Sequence, residues 1–174
     1  MPRSSSQKAR KIATMGLLFA LAIVFSILEG MVAIPTMPGV KLGLSNIVTM
    51  FCLFFMGARY SFTLIFLKAF SALVTRGAVA AALSLSGGLL SLSVMLLLTQ
   101  LKKHKPSFLV ISVFGGVFHN IGQLIVAQLM VNVPLYYVML PILLLSGVIM
   151  GIITGMLLRT LMPYMQKLNV LDKG

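Results

Sequence analysis

The chain has 174 residues, of which 59% are hydrophobic and 9% are charged, and its mean hydropathy is +1.07. Such a composition indicates an integral membrane protein and excludes a separate soluble catalytic domain. The sequence contains fourteen Lys and Arg residues and two acidic residues, which gives a formal charge of +12. Because most of these cations flank apolar runs, as topology signals do, the charge does not predict nucleic-acid binding.

Six apolar runs, divided by polar residues or by Gly and Pro, predict an all-α protein with six transmembrane helices. The runs cover about residues 12–33, 44–56, 61–75, 80–100, 108–130 and 137–161. We expect a basic cytoplasmic N-terminus (1–11), a single six-helix membrane domain (12–162) and a cytoplasmic C-terminal tail (163–174), with Pro163 closing the last helix. The first run is too long for the apolar part of a secretory signal, and we interpret it as an uncleaved span.

The positions of the cations predict the orientation of these helices. If the N-terminus lies inside, the inner side collects every Lys and Arg except Lys41 and Arg76, which lie outside, and Lys68, which falls within the third run. The positive-inside rule therefore predicts that both termini are cytoplasmic in a multi-pass membrane protein. The second and third runs are short for a bilayer. The proline-containing segment 35–41 before them is unlike a helix and suggests a cavity open to the outside.

The fifth run carries polar side chains that are costly in hydrocarbon unless they find partners. His119 and Gln123 are four residues apart and share a helical face, with Asn120 beside them. They either join helices by hydrogen bonds, with glycines at the packing seam, or form the polar floor of a ligand pocket. We favour the pocket because three such residues lie within five positions.

Other candidate binding residues lie toward the predicted outer side. Glu29 is the only acidic residue in or near a span and has Lys41, Arg76 or a ligand as its possible partners. Lys68 is expected to face the interior, toward carbonyl groups or an anion. Together with Asn46, these residues predict a net positive outer half, which suits an anionic or carbonyl-rich ligand. Proton coupling through Glu29 is a weaker alternative.

The sequence lacks the motifs of several enzyme classes. It has no GxxxxGK[ST] phosphate-binding loop, so we do not expect it to hydrolyse ATP. Its only aspartate is Asp172, whereas prenyl-transfer chemistry needs aspartate-rich motifs to hold magnesium ions. Its only cysteine is Cys52, interpreted as a buried structural thiol. We therefore predict that the chain is not an enzyme and uses no metal or cofactor.

Small residues on the first predicted helix mark a face that another helix can approach closely. Gly16 and Ala20 form a small-xxx-small pair in the cytoplasmic half of that helix. The pair serves either internal packing or docking of another membrane protein.

Four segments resemble the family known as "Gx transporter" or "heptaprenyl diphosphate synthase component I". They are PGVKLGLSNIV (38–48), SLSGGLLSLSVMLLL (84–98), GGVFHNIGQLIVA (115–127) and LPILLLSGVIMGIITGML (140–157). The HNIGQ segment is the most specific of them, and KLGLSN is the next. That family is in turn similar to the substrate-binding S-components of energy-coupling-factor (ECF) importers. Those are six-helix proteins whose binding site near the outer face is covered by the loop after the first helix.

The resemblance implies a transport function. An S-component binds its substrate outside, docks onto a membrane coupling protein with two cytoplasmic ATPases, and topples in the bilayer to release the substrate inside. Gly16 and Ala20 match the small-residue docking motif of such proteins, with Gly in place of the more usual Ala. The implied substrate is a small anionic or polar molecule, either a vitamin or cofactor or an isoprenoid- or quinone-related precursor. The alternative is a non-catalytic membrane subunit of a prenyl-diphosphate synthase.

Overall fold

The computed structural model describes residues 5–31, 43–101, 106–130 and 136–167. Lys41 and the proline-containing segment 35–41 lie outside these residues. In the described ranges all regular secondary structure is α-helical, which confirms the predicted all-α class. The six helices are α1 (Ser5–Met31), α2 (Asn46–Met56), α3 (Ala58–Arg76), α4 (Ala78–Thr99), α5 (Phe108–Met130) and α6 (Tyr136–Lys167).

Four of the six helices are long and apolar enough to cross a membrane. These segments are Gln7–Met31, Ala78–Thr99, Phe108–Met130 and Met139–Tyr164. Helix α2 has 11 residues; at about 1.5 Å per residue it extends roughly 16 Å, about half of the hydrocarbon thickness. Helix α3 has 19 residues but carries Arg59, Lys68 and Arg76. The prediction of six helices is confirmed, whereas the predicted six spans are corrected to four helices that meet the criteria of length and apolarity.

Single glycines connect α2 to α3 and α3 to α4. Gly57 and Gly77 both have φ 90°, a left-handed conformation that glycine adopts without steric cost. Each connection reverses the chain direction, so the three helices form consecutive antiparallel hairpins. Lys68 on α3 consequently reaches back to Ser45, which immediately precedes α2.

Helices α5 and α6 pack along a seam of glycines. Gly147, Gly151 and Gly155 recur every fourth residue on α6 and face the backbone of α5. A Cβ atom added to Gly155 would lie 2.7 Å from Leu109 Cα, and one added to Gly147 would lie 2.9 Å from Val117 Cα. Real Cβ atoms do not approach other atoms so closely, so the two helices can pack at this distance only because the seam lacks side chains.

The antiparallel arrangement gives the bundle two chemically different ends. The basic end carries Lys8, Arg10 and Lys11 on α1, Arg59 on α3 and Arg159 on α6; the opposite end, here called the Glu29 end, carries Glu29 and Arg76. Contrary to expectation, α6 continues through Pro163. A proline removes a single backbone hydrogen bond, and membrane helices tolerate this loss where neighbouring groups compensate for it.

Candidate functional site

A cavity of about 270 Å³ lies at the Glu29 end of the bundle. Helices α1 and α3 form its walls, and α4 contributes one side chain. Within the described helices, α1 packs against α2 and α3 but not against α4, so the cavity occupies a cleft between α1 and α4. Its lining residues are Ala22, Ile23, Ser26, Ile27, Gly30, Lys68, Ser71, Thr75, Arg76 and Ser84.

Two cationic side chains line this cavity. Lys68 is 8% exposed, and its Nζ donates hydrogen bonds to the Ser45 carbonyl oxygen at 3.0 Å and to Thr49 Oγ1 at 3.2 Å. Both of these acceptors are neutral groups, and together they orient the ammonium group. Arg76 is exposed, and its Nη2 donates to Ser26 Oγ at 3.1 Å, which links α3 to α1. The cavity therefore places two cationic groups and several hydroxyl groups within a mainly apolar surface.

Glu29 lies beside the cavity and binds the turn that immediately precedes α2. Its buried carboxylate accepts hydrogen bonds from the backbone N–H groups of Gly43, of Leu44 at 2.7 Å and of Ser45 at 3.4 Å. These N–H groups lie just before the first helical residue, Asn46, and a carboxylate so close to a helix N-terminus also complements the helix dipole. Arg76 adds a Coulombic attraction to Glu29. The carboxylate thus already has partners inside the protein.

A second group of polar residues lies buried between α2, α4, α5 and α6. His119, Asn120 and Gln123 are 4%, 0% and 2% exposed, respectively. Asn120 Nδ2 donates to the Leu143 carbonyl oxygen at 2.7 Å and to Ser146 Oγ at 2.9 Å, which joins α5 to α6. None of these three predicted binding residues lines the cavity.

Asn46 completes this buried group, here called the polar cluster (Asn46, Ser91, His119, Asn120, Gln123 and Ser146). Its Nδ2 donates to Ser91 Oγ at 3.1 Å and to the Gly115 carbonyl oxygen at 3.4 Å. A Cβ atom at Gly43 would lie 3.6 Å from His119 Cδ2. The described part of KLGLSN (residues 43–46) and the HNIGQ segment, which resemble the family most specifically, therefore meet in space at the N-terminus of α2.

The hydrogen bonds of Asn120 predict a measurable coupling between α5 and α6. We expect Asn120→Ala and Ser146→Ala to lower the free energy of unfolding, with an interaction energy of about 0.6–1.7 kcal/mol, the range observed between membrane helices. Thermal unfolding of both single variants and of the double variant in detergent measures this energy. Strictly additive effects would contradict the assigned interhelical bond.

The predicted site residues thus fall into separate groups. Lys68 and Arg76 line the cavity, Glu29 lies beside it, and Asn46 and the three α5 residues belong to the polar cluster; Lys41 lies outside the described residues. The predictions missed the cavity hydroxyls of Ser26, Ser71, Thr75 and Ser84. Their sequence signal is weak, because Ser and Thr are common in membrane helices, where they bond to their own backbone. Within the described residues, no three His, Cys, Asp or Glu lie close enough together to hold a metal ion.

The predicted docking pair lies on the surface of α1. Gly16 and Ala20 are both exposed, and a Cβ atom added to Gly16 would meet nothing within 4 Å. The side of α1 that carries them also exposes Leu17 and Val24. Within the described part of the chain, this pair is therefore not used for internal close packing.

Comparison with known proteins identifies the family. Residues 18–161, well over half of the chain, match the family model of heptaprenyl diphosphate synthase component I. No curated protein and no solved structure matches the chain. The description names one component of a synthase, in agreement with a chain that is not itself an enzyme. The resemblance seen in KLGLSN and HNIGQ is confirmed, and the chain belongs to the heptaprenyl diphosphate synthase component I family.

Proposed function

We propose that this chain is the substrate-binding component of an ATP-driven importer of the ECF type. In this proposal it binds a small anionic molecule at the Glu29 end and delivers it inside after docking to a membrane coupling protein with two cytoplasmic ATPases. The observation that carries the proposal is the cavity, in which Lys68 and Arg76 provide positive charge beside hydroxyl groups. A buried cation such as Lys68 in an apolar bundle is by default a candidate functional group.

The charge balance around the cavity favours an anion. Lys68 and Arg76 supply two positive charges, whereas Glu29 supplies one negative charge and already accepts three backbone hydrogen bonds. Asp172 is the only other acidic residue in the whole sequence. Among the described residues, an anion entering the cavity would therefore meet more cationic than anionic side chains, in surroundings where charge interactions are stronger than in water.

The proposal gives the bundle a definite orientation in the bilayer. All six helices belong to the membrane domain, with the basic end and both termini in the cytoplasm of a bacterial cell. In this arrangement the short helix α2 begins inside the bundle, just after the turn that binds the Glu29 carboxylate. Non-helical backbone at such depth is tolerated against protein or a wet cavity.

The exposed Gly16 and Ala20 provide a face for the coupling protein. A pair of small residues on an otherwise apolar helix lets a second membrane helix approach its backbone closely. The chain has no nucleotide-binding loop of its own, so the ATPases would be separate proteins. We propose that the polar cluster acts with the cavity as part of the substrate site, or holds the helices that form it.

A second candidate function follows from the family description. A component of a heptaprenyl diphosphate synthase that has no aspartate-rich motif would anchor or activate a catalytic subunit at the membrane. In that case the cavity would hold no transported substrate, and replacement of His119 or Gln123 would change stability or synthase activity only. As an importer component, the same replacements would abolish substrate binding in a folded protein.

Identification of the partners tests the proposal first. The tagged chain is purified from native membranes in mild detergent, and the bound proteins are identified by mass spectrometry, with Gly16→Leu as a matched variant that blocks close helix approach. We expect two ATPases and a membrane coupling protein with the natural chain, and their loss with the variant. Recovery of a prenyl-diphosphate synthase without any ATPase would overturn the importer function and favour the accessory subunit.

A further inference from the structure

The cavity is small, and its boundaries differ in chemistry from one side to the other. Its volume of about 270 Å³ falls below the roughly 300–1,000 Å³ of pockets that enclose a whole drug-sized ligand. Its inner wall carries the buried Lys68. Ile23 and Ile27 lie on the α1 side, and Ile27 is 60% exposed. A ligand that exceeds the cavity would thus leave it along an apolar helix face.

In the described structure α1 and α4 do not pack against each other, and the gap between them gives the apolar part of a ligand a way out of the cavity. Ser84 is the α4 contribution to the lining, and Gly30 opens the α1 side because a Cβ atom there would meet nothing within 4 Å. In a bilayer, this gap opens sideways toward the lipid tails. A charged group would remain at Lys68 and Arg76 while a hydrocarbon chain lies between α1 and α4.

From this geometry we infer that the ligand is an anionic amphiphile, with a phosphate or similar head in the cavity and a single apolar tail that passes between α1 and α4 into the membrane. This inference rests on the proposed binding function and narrows its substrate class. The head would accept hydrogen bonds from Lys68, from Arg76 and from the cavity hydroxyls, since charged donors form the strongest such bonds with phosphate oxygens. Each methylene group removed from water would add to the affinity.

Binding in phosphatidylcholine nanodiscs tests the inference with three matched probes: decyl phosphate, decanol and inorganic phosphate. Native mass spectrometry measures the bound fraction of each. We expect decyl phosphate to bind at least about tenfold more tightly than decanol, which lacks the phosphate head, and than inorganic phosphate, which lacks the tail. Arg76→Gln should weaken its binding by about tenfold. Nanodiscs that also contain phosphatidic acid establish whether a two-chain lipid with the same head competes.

Two glycine variants on α1 separate binding in the cavity from adsorption to the protein surface. Gly30→Leu fills the cavity from a position with free space, whereas Gly16→Leu adds the same side chain to the same helix outside the cavity. We expect Gly30→Leu to abolish decyl phosphate binding and Gly16→Leu to preserve it. If both variants bind decyl phosphate equally, or if phosphatidic acid displaces it, the inference of a single-chain ligand in the cavity is wrong. Tight binding of inorganic phosphate alone would overturn the amphiphile but leave the proposed import of a small anion intact.

Discussion

Gly151→Leu is expected to destabilise the bundle more than the same substitution at Gly147 or Gly155. Gly151 packs directly against the α5 backbone at Val113, and a Cβ atom there would also lie 2.8 Å from the Ser112 carbonyl oxygen. Backbone atoms cannot rotate away, so the two helices must separate along the whole seam. We expect a loss at the upper end of the overpacking range, about 3 kcal/mol, and a melting temperature roughly 10 °C lower.

The single cysteine provides the measurement. Cys52 is completely buried on α2, so a thiol-reactive fluorescent dye labels it when the bundle opens on heating in detergent. Gly16→Leu is the matched control, because the same substitution on α1 meets open space. Its melting temperature should stay constant or rise, since leucine favours a helix by up to about 1 kcal/mol relative to glycine. Similar losses in both variants would contradict a tightly packed α5–α6 seam.

The six helices could be predicted from the sequence because each apolar run forms one helix, although α6 continues through Pro163. The number of spans could not be predicted in the same way. Residues 44–56 and 61–75 read as separate apolar segments, but hydropathy does not reveal that Gly57 turns the chain so sharply that α2 and α3 form one hairpin. The spacing of Gly147, Gly151 and Gly155 was visible in the sequence, whereas the facing helix depends on the tertiary register.

The sequence predicts which residues of the candidate site are buried, but not which groups they bind. The shared helical face of His119 and Gln123 correctly marks a buried surface, because polar side chains in an apolar helix require protein partners. Spacing alone does not distinguish bonds to α6 from bonds to a ligand, since both satisfy the same donors. The role of Glu29 was still harder to predict, because its observed partners are backbone N–H groups. Every residue except proline has such a group, so the side-chain sequence does not indicate which of them Glu29 binds.

Glu29→Ala is the second change with a large expected effect. It removes the acceptor for the N–H groups of Gly43, Leu44 and Ser45, of which Gly43 and Ser45 are buried. A buried donor left without an acceptor costs about 1–3 kcal/mol, and part of that cost is recovered if water enters. We expect a net loss of about 2–4 kcal/mol, and a smaller one for Glu29→Gln, whose amide oxygen still accepts while the charge at the helix N-terminus is lost.

Melting temperature and amide hydrogen exchange together show where this loss arises. Exchange at residues 43–45 should accelerate strongly in Glu29→Ala and moderately in Glu29→Gln, while the centre of α5 stays protected. Thr14→Ala serves as the control, because the Thr14 hydroxyl bonds only to its own helix, at the Arg10 carbonyl. The proton-coupled alternative makes the opposite prediction: Glu29→Gln would stop uptake in vesicles that lack any ATPase, without a change in stability or exchange. If the variants destabilise the N-terminus of α2 and uptake depends on an ATPase, Glu29 has a structural role and does not carry protons. Its carboxylate would then hold the start of α2 beside Lys68 and so keep the cavity open.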